Sequence, residues 1–251
     1  MAQIDHIVDG IYRISTPPDP NVPISFNQFL IEDEAPVLVH TGVHQAYDGI
    51  HKAVKEVLDP ATLAYVVLLH FEGDECGGMD RFMAEAKNAQ LVGSDMSAVL
   101  SLTSFGVPYV DRVKGMRDGD TIDTGRHRLR FLETPHVHHW DSMMVFEEST
   151  KSLFPSDLYI QPGDQPPVVN EDLTAEMCGF YREIGIFAHE DPVRDCAARL
   201  EELGPQWIHA MHGGTLTGEI FPTYNKALRE QRFAFQGKTL GRPIALASTS
   251  G

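Results

Sequence analysis

The sequence is poor in cysteine, in basic charge and in long apolar runs, and each shortage excludes something. Its three cysteines, Cys76, Cys178 and Cys196, lie far apart. No disulfide framework is expected from them, and a reducing cytoplasm is the expected compartment. Lysine and arginine total 20 against 36 acidic residues, a formal net charge of -16. Such a balance argues against nucleic acid or an anionic membrane as partner. No stretch has the length and apolarity of a membrane span, and Met1-Ala2-Gln3-Ile4-Asp5 has no secretion-signal pattern. Solenoid-length repeats and linker-like stretches are also missing. The 251 residues are therefore read as one domain, 1–251, with 237–251 weakly patterned and expected to be a mobile tail.

What is present is a core-forming chain, 42% hydrophobic, in which strand-like and helix-like patterns alternate. Residues 4–8 and 10–14 read as strands, and 25–31 and 36–40 as a hairpin. A helix is expected over 47–58, with Ile50 and Val54 on its inner face. An apolar strand over 63–69, a helix over 79–89, a strand over 89–93 and a helix over 94–102 follow. The second half has strands at 121–123, 127–132, 143–147 and 152–154, with the alternating 127–132 run wet on one face. Helices are expected over 171–188 and 193–203, a strand over 207–211 and a helix over 224–236. Alternation of this kind predicts βαβ units and a layered α/β fold.

The stretch that carries chemistry is Leu69-His70-Phe71-Glu72-Gly73-Asp74-Glu75-Cys76-Gly77-Gly78, at the end of the 63–69 strand. In an extended loop His70, Glu72 and Asp74 share one side, and two glycines let the chain turn away. One imidazole and three carboxylates so close together repel one another unless a cation offsets them. Three further stretches put ligand-type residues at strand ends: 134–143, with His136, His138, His139 and Asp141; 153–159, with Asp157; and 209–214, with His209 and His212. Together they predict a dinuclear metal site.

The order His-x-Glu-x-Asp, a distant His, Asp after a short apolar strand, then His-Gly resembles the metallo-β-lactamase fold, an αββα sandwich. Within that fold it is most similar to the diiron domain of flavodiiron and related oxygen-binding diiron proteins. The resemblance implies that His70, Glu72 and His138 hold one metal, that Asp74 and His212 hold the other, and that Asp157 bridges them. Hydrolases of the fold usually carry His where Glu72 stands. A carboxylate there implies two iron ions, since mixed imidazole and carboxylate donors suit non-haem iron, whereas imidazole-rich sites suit zinc. Counting back without a gap from Asp141 places the histidine ligand at His138; a one-residue deletion would place it at His139.

Two residues depart from the family pattern. The family usually has His directly after the aspartate, where this chain has Glu75, expected to ligate the second metal. It usually has Asp in the stretch where this chain has His40, which is either a supporting partner of a ligand or a satisfied buried histidine. Cys76 is expected to pack rather than ligate. His209, three residues before His212, should face away from the metals, and His136 is either beside the pocket or on the surface. Tyr159, Trp140 and Tyr181 are either pocket walls or core.

The expected function is a diiron protein that binds or activates dioxygen, whether by reducing oxygen or nitric oxide, sensing oxygen or oxidising a small molecule. The alternative is a dinuclear zinc hydrolase of a thioester, lactone or related ester. Flavodiiron proteins append a flavodoxin-like domain that supplies electrons through a flavin; no such domain or flavin is expected in this chain, hence an external electron donor if turnover repeats, and the resemblance implies a homodimer.

Overall fold

The computed structural model describes residues 2–18, 22–104 and 106–237. The expected tail is outside the described residues from 238 onward. Two seven-stranded sheets run through the molecule. The first contains β1 (Gln3–Val8), β2 (Ile11–Thr16), β3 (Phe26–Ile31), β4 (Val37–Val39), β5 (Tyr65–Val67), β6 (Gln90–Ser94) and β7 (Val113–Met116), in chain order. The second contains β8 (Thr121–Asp123), β9 (Arg128–Glu133), β10 (Met143–Glu147), β11 (Ser152–Phe154), β12 (Val168–Val169), β13 (Trp207–His209) and β14 (Thr215–Thr217), ordered β12-β14-β13-β11-β10-β9-β8. β1 to β4 are antiparallel, and β4 to β7 are parallel. The parallel steps are crossed by α1 (Tyr47–Lys55), α2 (Gly73–Cys76), α3 (Met79–Glu85) and α4 (Asp95–Ser97). α5 (Thr174–Ile184), α6 (Asp191–Leu203) and α7 (Phe221–Glu230) belong to the second half.

Strand alternation builds the layers. Phe29, Ile31, Val37, Val39 and Val67 of the first sheet pack with Leu129, Phe131, Val145 and Phe154 of the second in one buried cluster between the sheets. Their sequence neighbours Leu30, Leu38 and Val66 point the other way, onto Ile50, Val54, Phe82 and Met83 of α1 and α3. Leu132, Met144 and Ile208 likewise pack under Tyr181, Leu200 and Tyr224 of α5, α6 and α7. Period-two apolar residues on both faces of a strand require a cover on each face. The result is the expected αββα sandwich. In β9 the exposed side is limited to Arg128 and, in part, Arg130, because Leu132 is covered by the helix layer.

Several boundaries differ from the sequence expectation, for local reasons. α5 starts after 171 because the Asp172 carboxylate accepts from the Thr174 amide, and it ends at Gly185, in the left-handed region at φ 70°. α7 begins earlier than 224, with Pro222 in its first turn. The 94–102 helix is α4 followed by a π-helical turn over Ala98–Leu102. β7, β12 and β14 were not anticipated; each is short and mostly or wholly without clear alternation. Among the described residues, no helix is long and apolar enough to cross a membrane.

Candidate metal centre

The loops at one end of the sandwich bring together all seven residues expected to bind metal. His70 lies three residues past β5, Glu72 precedes α2, and Asp74 and Glu75 are inside it. His138 is in the β9–β10 connection, Asp157 follows β11, and His212 lies between β13 and β14. The convergence differs in one respect from an extended loop. Glu72 is extended (φ -133°, ψ 161°), so it shares a side with His70, but the chain then turns helical. Asp74 and Glu75 are delivered by that helical turn, not by strand alternation.

The two glycines have a different role from the one expected. Gly77 (φ -62°) and Gly78 (φ -95°) are both right-handed, a conformation any residue adopts. They are needed for close approach. A Cβ on Gly77 would lie 2.4 Å from the His44 nitrogen, and one on Gly78 would lie 2.7 Å from the Thr41 carbonyl. The α2 turn is thereby pressed against the loop after β4, where the Thr41 amide and hydroxyl both donate to the Glu75 carbonyl, at 2.6 and 2.8 Å.

The donors form two groups, His70, Glu72, His138 and Asp157 in one and Asp74, Glu75 and His212 in the other. In the first, Glu72 Oε2 is 3.3 Å from His70 Nε2 and 3.4 Å from His138 Nε2. Asp157 Oδ2 is 2.8 Å from His138 Nε2 and 3.5 Å from His70 Nε2. The other oxygen of Asp157, Oδ1, is 3.4 Å from His212 Nε2, which is 3.7 Å from Asp74 Oδ2. One carboxylate thus faces both groups. His139 is farther out: its Nε2 is 3.7 Å from Glu72 and its Nδ1 is 3.6 Å from Asp141.

The imidazoles are oriented from behind. His212 Nδ1 is 2.8 Å from the Ser25 carbonyl. A carbonyl only accepts, so the proton is on Nδ1 and the Nε2 lone pair faces the carboxylates. His70 Nδ1 is 2.7 Å from Ser156 Oγ. The His212 loop is held by Asn27, whose amide donates to the carbonyls of Ala210 and Gly213, and by Arg13, which also donates to Gly213. Sequence reading had not singled out Ser25, Ser156, Asn27 or Arg13. Only Ser156, adjacent to Asp157, gave a usable signal.

Electrostatics shows the same demand for positive charge. Burial, then Asp157 and Asp74, push the Glu75 carboxyl well above its ordinary range. Burial opposes ionisation of Asp157, but His70, His138 and His212 overcome it and hold the carboxyl low. Glu72 is held low by hydrogen bonds from His138 and His70. Burial disfavours the charged form of His138, yet Asp157 and Glu72 raise it to about 9. Glu75 Oε2 and Asp157 Oδ1 are buried with no hydrogen-bond partner among the described residues. Orphaned carboxylate oxygens are costly, and a shared cation is the group that satisfies them. The donor set therefore fits a metal pair.

The remaining candidates are outside both donor groups. Cys76 is a free, partly buried thiol outside both groups. His136 is on the surface. His209 is buried against Phe154, and its two ring nitrogens face Thr215 and Ser152. Tyr159 and Tyr181 are fully buried core, and Trp140 is 46% exposed. The walls of the cavity over the donors are instead aliphatic. About 410 Å³ of space is lined by Ile24, Ile160, Ile184 and Ile186 together with His139 and five of the donors, Glu72, Asp74, His138, Asp157 and His212.

A four-layered αββα sandwich with histidines and carboxylates converging at one end of its strands defines a metalloprotein of the metallo-β-lactamase fold. The chain belongs to the ODP family beta lactamase, which matches residues 24–213. It is 32% identical over 139 residues to the anaerobic nitric oxide reductase flavorubredoxin of Pectobacterium carotovorum, covering 55% of this chain and 27% of that protein. It is 26% identical over 196 residues to the putative diflavin flavoprotein A 1 of Thermosynechococcus vestitus, covering 76% of this chain and 34% of that one. The chain thus spans about a third or less of the length of these relatives. Among solved structures, the rubredoxin oxygen:oxidoreductase of Desulfovibrio gigas superposes with a TM-score of 0.80 at 20% identity, over 91% of this chain and 61% of that one. The flavodiiron protein of Giardia intestinalis gives 0.78 at 18%, over 90% and 58%.

Proposed function

We propose that this chain is a non-haem diiron protein that binds or activates dioxygen or nitric oxide. The observation that carries the reading is the donor set, three imidazoles and four carboxylates in two adjoining groups. Oxygen-rich mixed sites of this kind suit iron better than zinc. His70, Glu72 and His138 would hold one iron and Asp74, Glu75 and His212 the other, with Asp157 shared. Such a pair supplies the redox chemistry; the protein fixes geometry and access.

The surrounding residues support a small ligand. Ile24, Ile160, Ile184 and Ile186 give the cavity an apolar wall, and among the described residues lining it the polar ones are Glu72, Asp74, His138, Asp157, His212 and His139. Beyond the metals, an organic acid or thioester would meet no Lys, Arg or side-chain amide among the described lining residues to fix its polar groups, whereas a diatomic needs none. The names of the relatives, a nitric oxide reductase and an oxygen:oxidoreductase, agree with that choice. Repeated reduction would require an electron donor; without one, the same site binds or senses its ligand.

The test is direct. The protein is purified from iron-replete cells, its metals are quantified, and absorption is recorded after reduction and exposure to oxygen. About two irons per chain and a new visible band are expected. Zinc in place of iron, with no band and with ester turnover, overturns the reading in favour of hydrolysis.

A further inference from the structure

His40 is buried, directly after β4, and has no place in either donor group. Its backbone is left-handed, at φ 62°, a conformation costly for a residue with a Cβ and retained where the surroundings over-determine it. Two contacts fix the ring. The Leu69 amide donates to Nε2 at 3.1 Å, which makes Nε2 an acceptor and places the proton of the neutral imidazole on Nδ1. That Nδ1–H faces Glu75 Oε1 at 3.9 Å, with both side chains almost fully buried. The separation exceeds a hydrogen bond, but between two almost fully buried groups a ring N–H this close to a carboxylate oxygen is an electrostatic contact that burial strengthens. The other oxygen of the same carboxylate, Oε2, is unpartnered and 3.6 Å from His70 Nε2.

The two oxygens of Glu75 are therefore unequal: one is turned to a ring N–H, the other to the donors. We infer that His40 is a positioning residue for Glu75, holding Oε1 so that Oε2 is the oxygen left turned to the metal pair. The assignment rests on the proposed metal site and on Glu75 as one of its donors. Leu69 immediately precedes His70, so the amide that sets the His40 tautomer belongs to the segment that supplies the first donor. The structure thereby links the presentation of Glu75 to the placement of His70.

The experiment is anaerobic equilibrium dialysis of the full chain against ferrous iron, reading irons bound per chain and the affinity of each. Wild type is compared with His40→Leu, His40→Asn, Glu75→Ala and His40→Leu/Glu75→Ala. Asparagine tolerates a left-handed backbone and keeps an N–H near the position of Nδ1. His40→Leu should weaken the second iron at least about tenfold and the first by less. His40→Asn should stay within about threefold of wild type, and the double variant should bind no more weakly than Glu75→Ala. If His40→Leu and His40→Asn both bind two irons as wild type does, while Glu75→Ala loses one, His40 does not position Glu75, although Glu75 remains a ligand. If Glu75→Ala itself keeps both irons, the ligand assignment fails and the role of His40 falls with it. Should His40→Leu not fold, His40→Gly, which suits the left-handed backbone and removes the ring, takes its place under the same criteria.

Discussion

Ser156 Oγ lies 2.7 Å from His70 Nδ1, so a residue at the end of a second-sheet strand supports a donor from the first sheet. Ser156 has a left-handed backbone, φ 54°, and directly precedes Asp157. One short turn therefore supplies the carboxylate that faces both donor groups and the hydroxyl that orients an imidazole. Ser156→Ala should lower iron affinity by about 10- to 100-fold, as loss of a supporting partner typically does. The folding cost should stay near 1 kcal/mol, since one hydrogen bond is removed. Iron dialysis and urea unfolding measure the two effects; unchanged affinity would show that His70 needs no such support.

Metal preference should depend on Glu72, whose Oε2 is within 3.4 Å of two imidazole nitrogens. Glu72→His replaces an anionic oxygen donor by a neutral nitrogen and moves the set toward zinc. In cells supplied with both metals, the iron-to-zinc ratio of the purified variant should fall several-fold. An unaltered ratio would mean that the other carboxylates set the preference.

The approach of α2 to the loop after β4 makes opposite predictions for two glycines. A Cβ on Gly77 meets the His44 nitrogen at 2.4 Å and the Gly42 and Gly73 carbonyls at 2.8 Å, all of them backbone. Gly77→Ala should therefore destabilise by about 3 kcal/mol, the upper part of the usual range for overpacking. Gly73, where a Cβ would meet nothing within 4 Å, is the control. Gly73→Ala should change stability by less than about 1 kcal/mol in either direction. Denaturant unfolding separates the two.

Chelated, metal-free protein should lose stability as pH rises. His138 is raised to about 9 against an ordinary 6.5, because Asp157 and Glu72 outweigh its burial. A raised folded-state value stabilises fully below 6.5, and that contribution is lost as pH passes through the folded value. At most about 3 kcal/mol is involved. Glu75, raised by burial and by neighbouring carboxylates, acts in the same direction from its ordinary 4.5 upward. Iron competes with these protons, so the loaded protein should show a flatter profile. Thermal unfolding between pH 6 and 9, with and without iron, tests this; a metal-free Tm that rises over that interval contradicts it.

Much of the molecule was legible in the residues. Alternation marked the strand in Arg128–Glu133, and Phe26–Ile31 pairs with Val37–Val39 as the expected hairpin. Ligand-type side chains at strand ends marked the site, because metal donors are seldom grouped in this way by chance. The short strands β12 and β14 were not legible, since two or three residues carry no period. Nor were the ends of α5, set by the Asp172 side chain and by Gly185.

By itself the sequence determined the layered α/β class and the stretches that supply the donors, because side-chain period and donor chemistry are local properties; which seven residues in them converge is what the family resemblance implied. Only the tertiary structure decided how they converge. Asp74 and Glu75 arrive by a helical turn that Gly77 and Gly78 allow to pack against Thr41, a contact between segments more than thirty residues apart in the chain. Ser156 behind His70 and the Ser25 carbonyl behind His212 belong to the same category. So does His40 facing Glu75. The partners of a donor are chosen by which strand ends lie side by side, and no local pattern in the chain encodes that proximity.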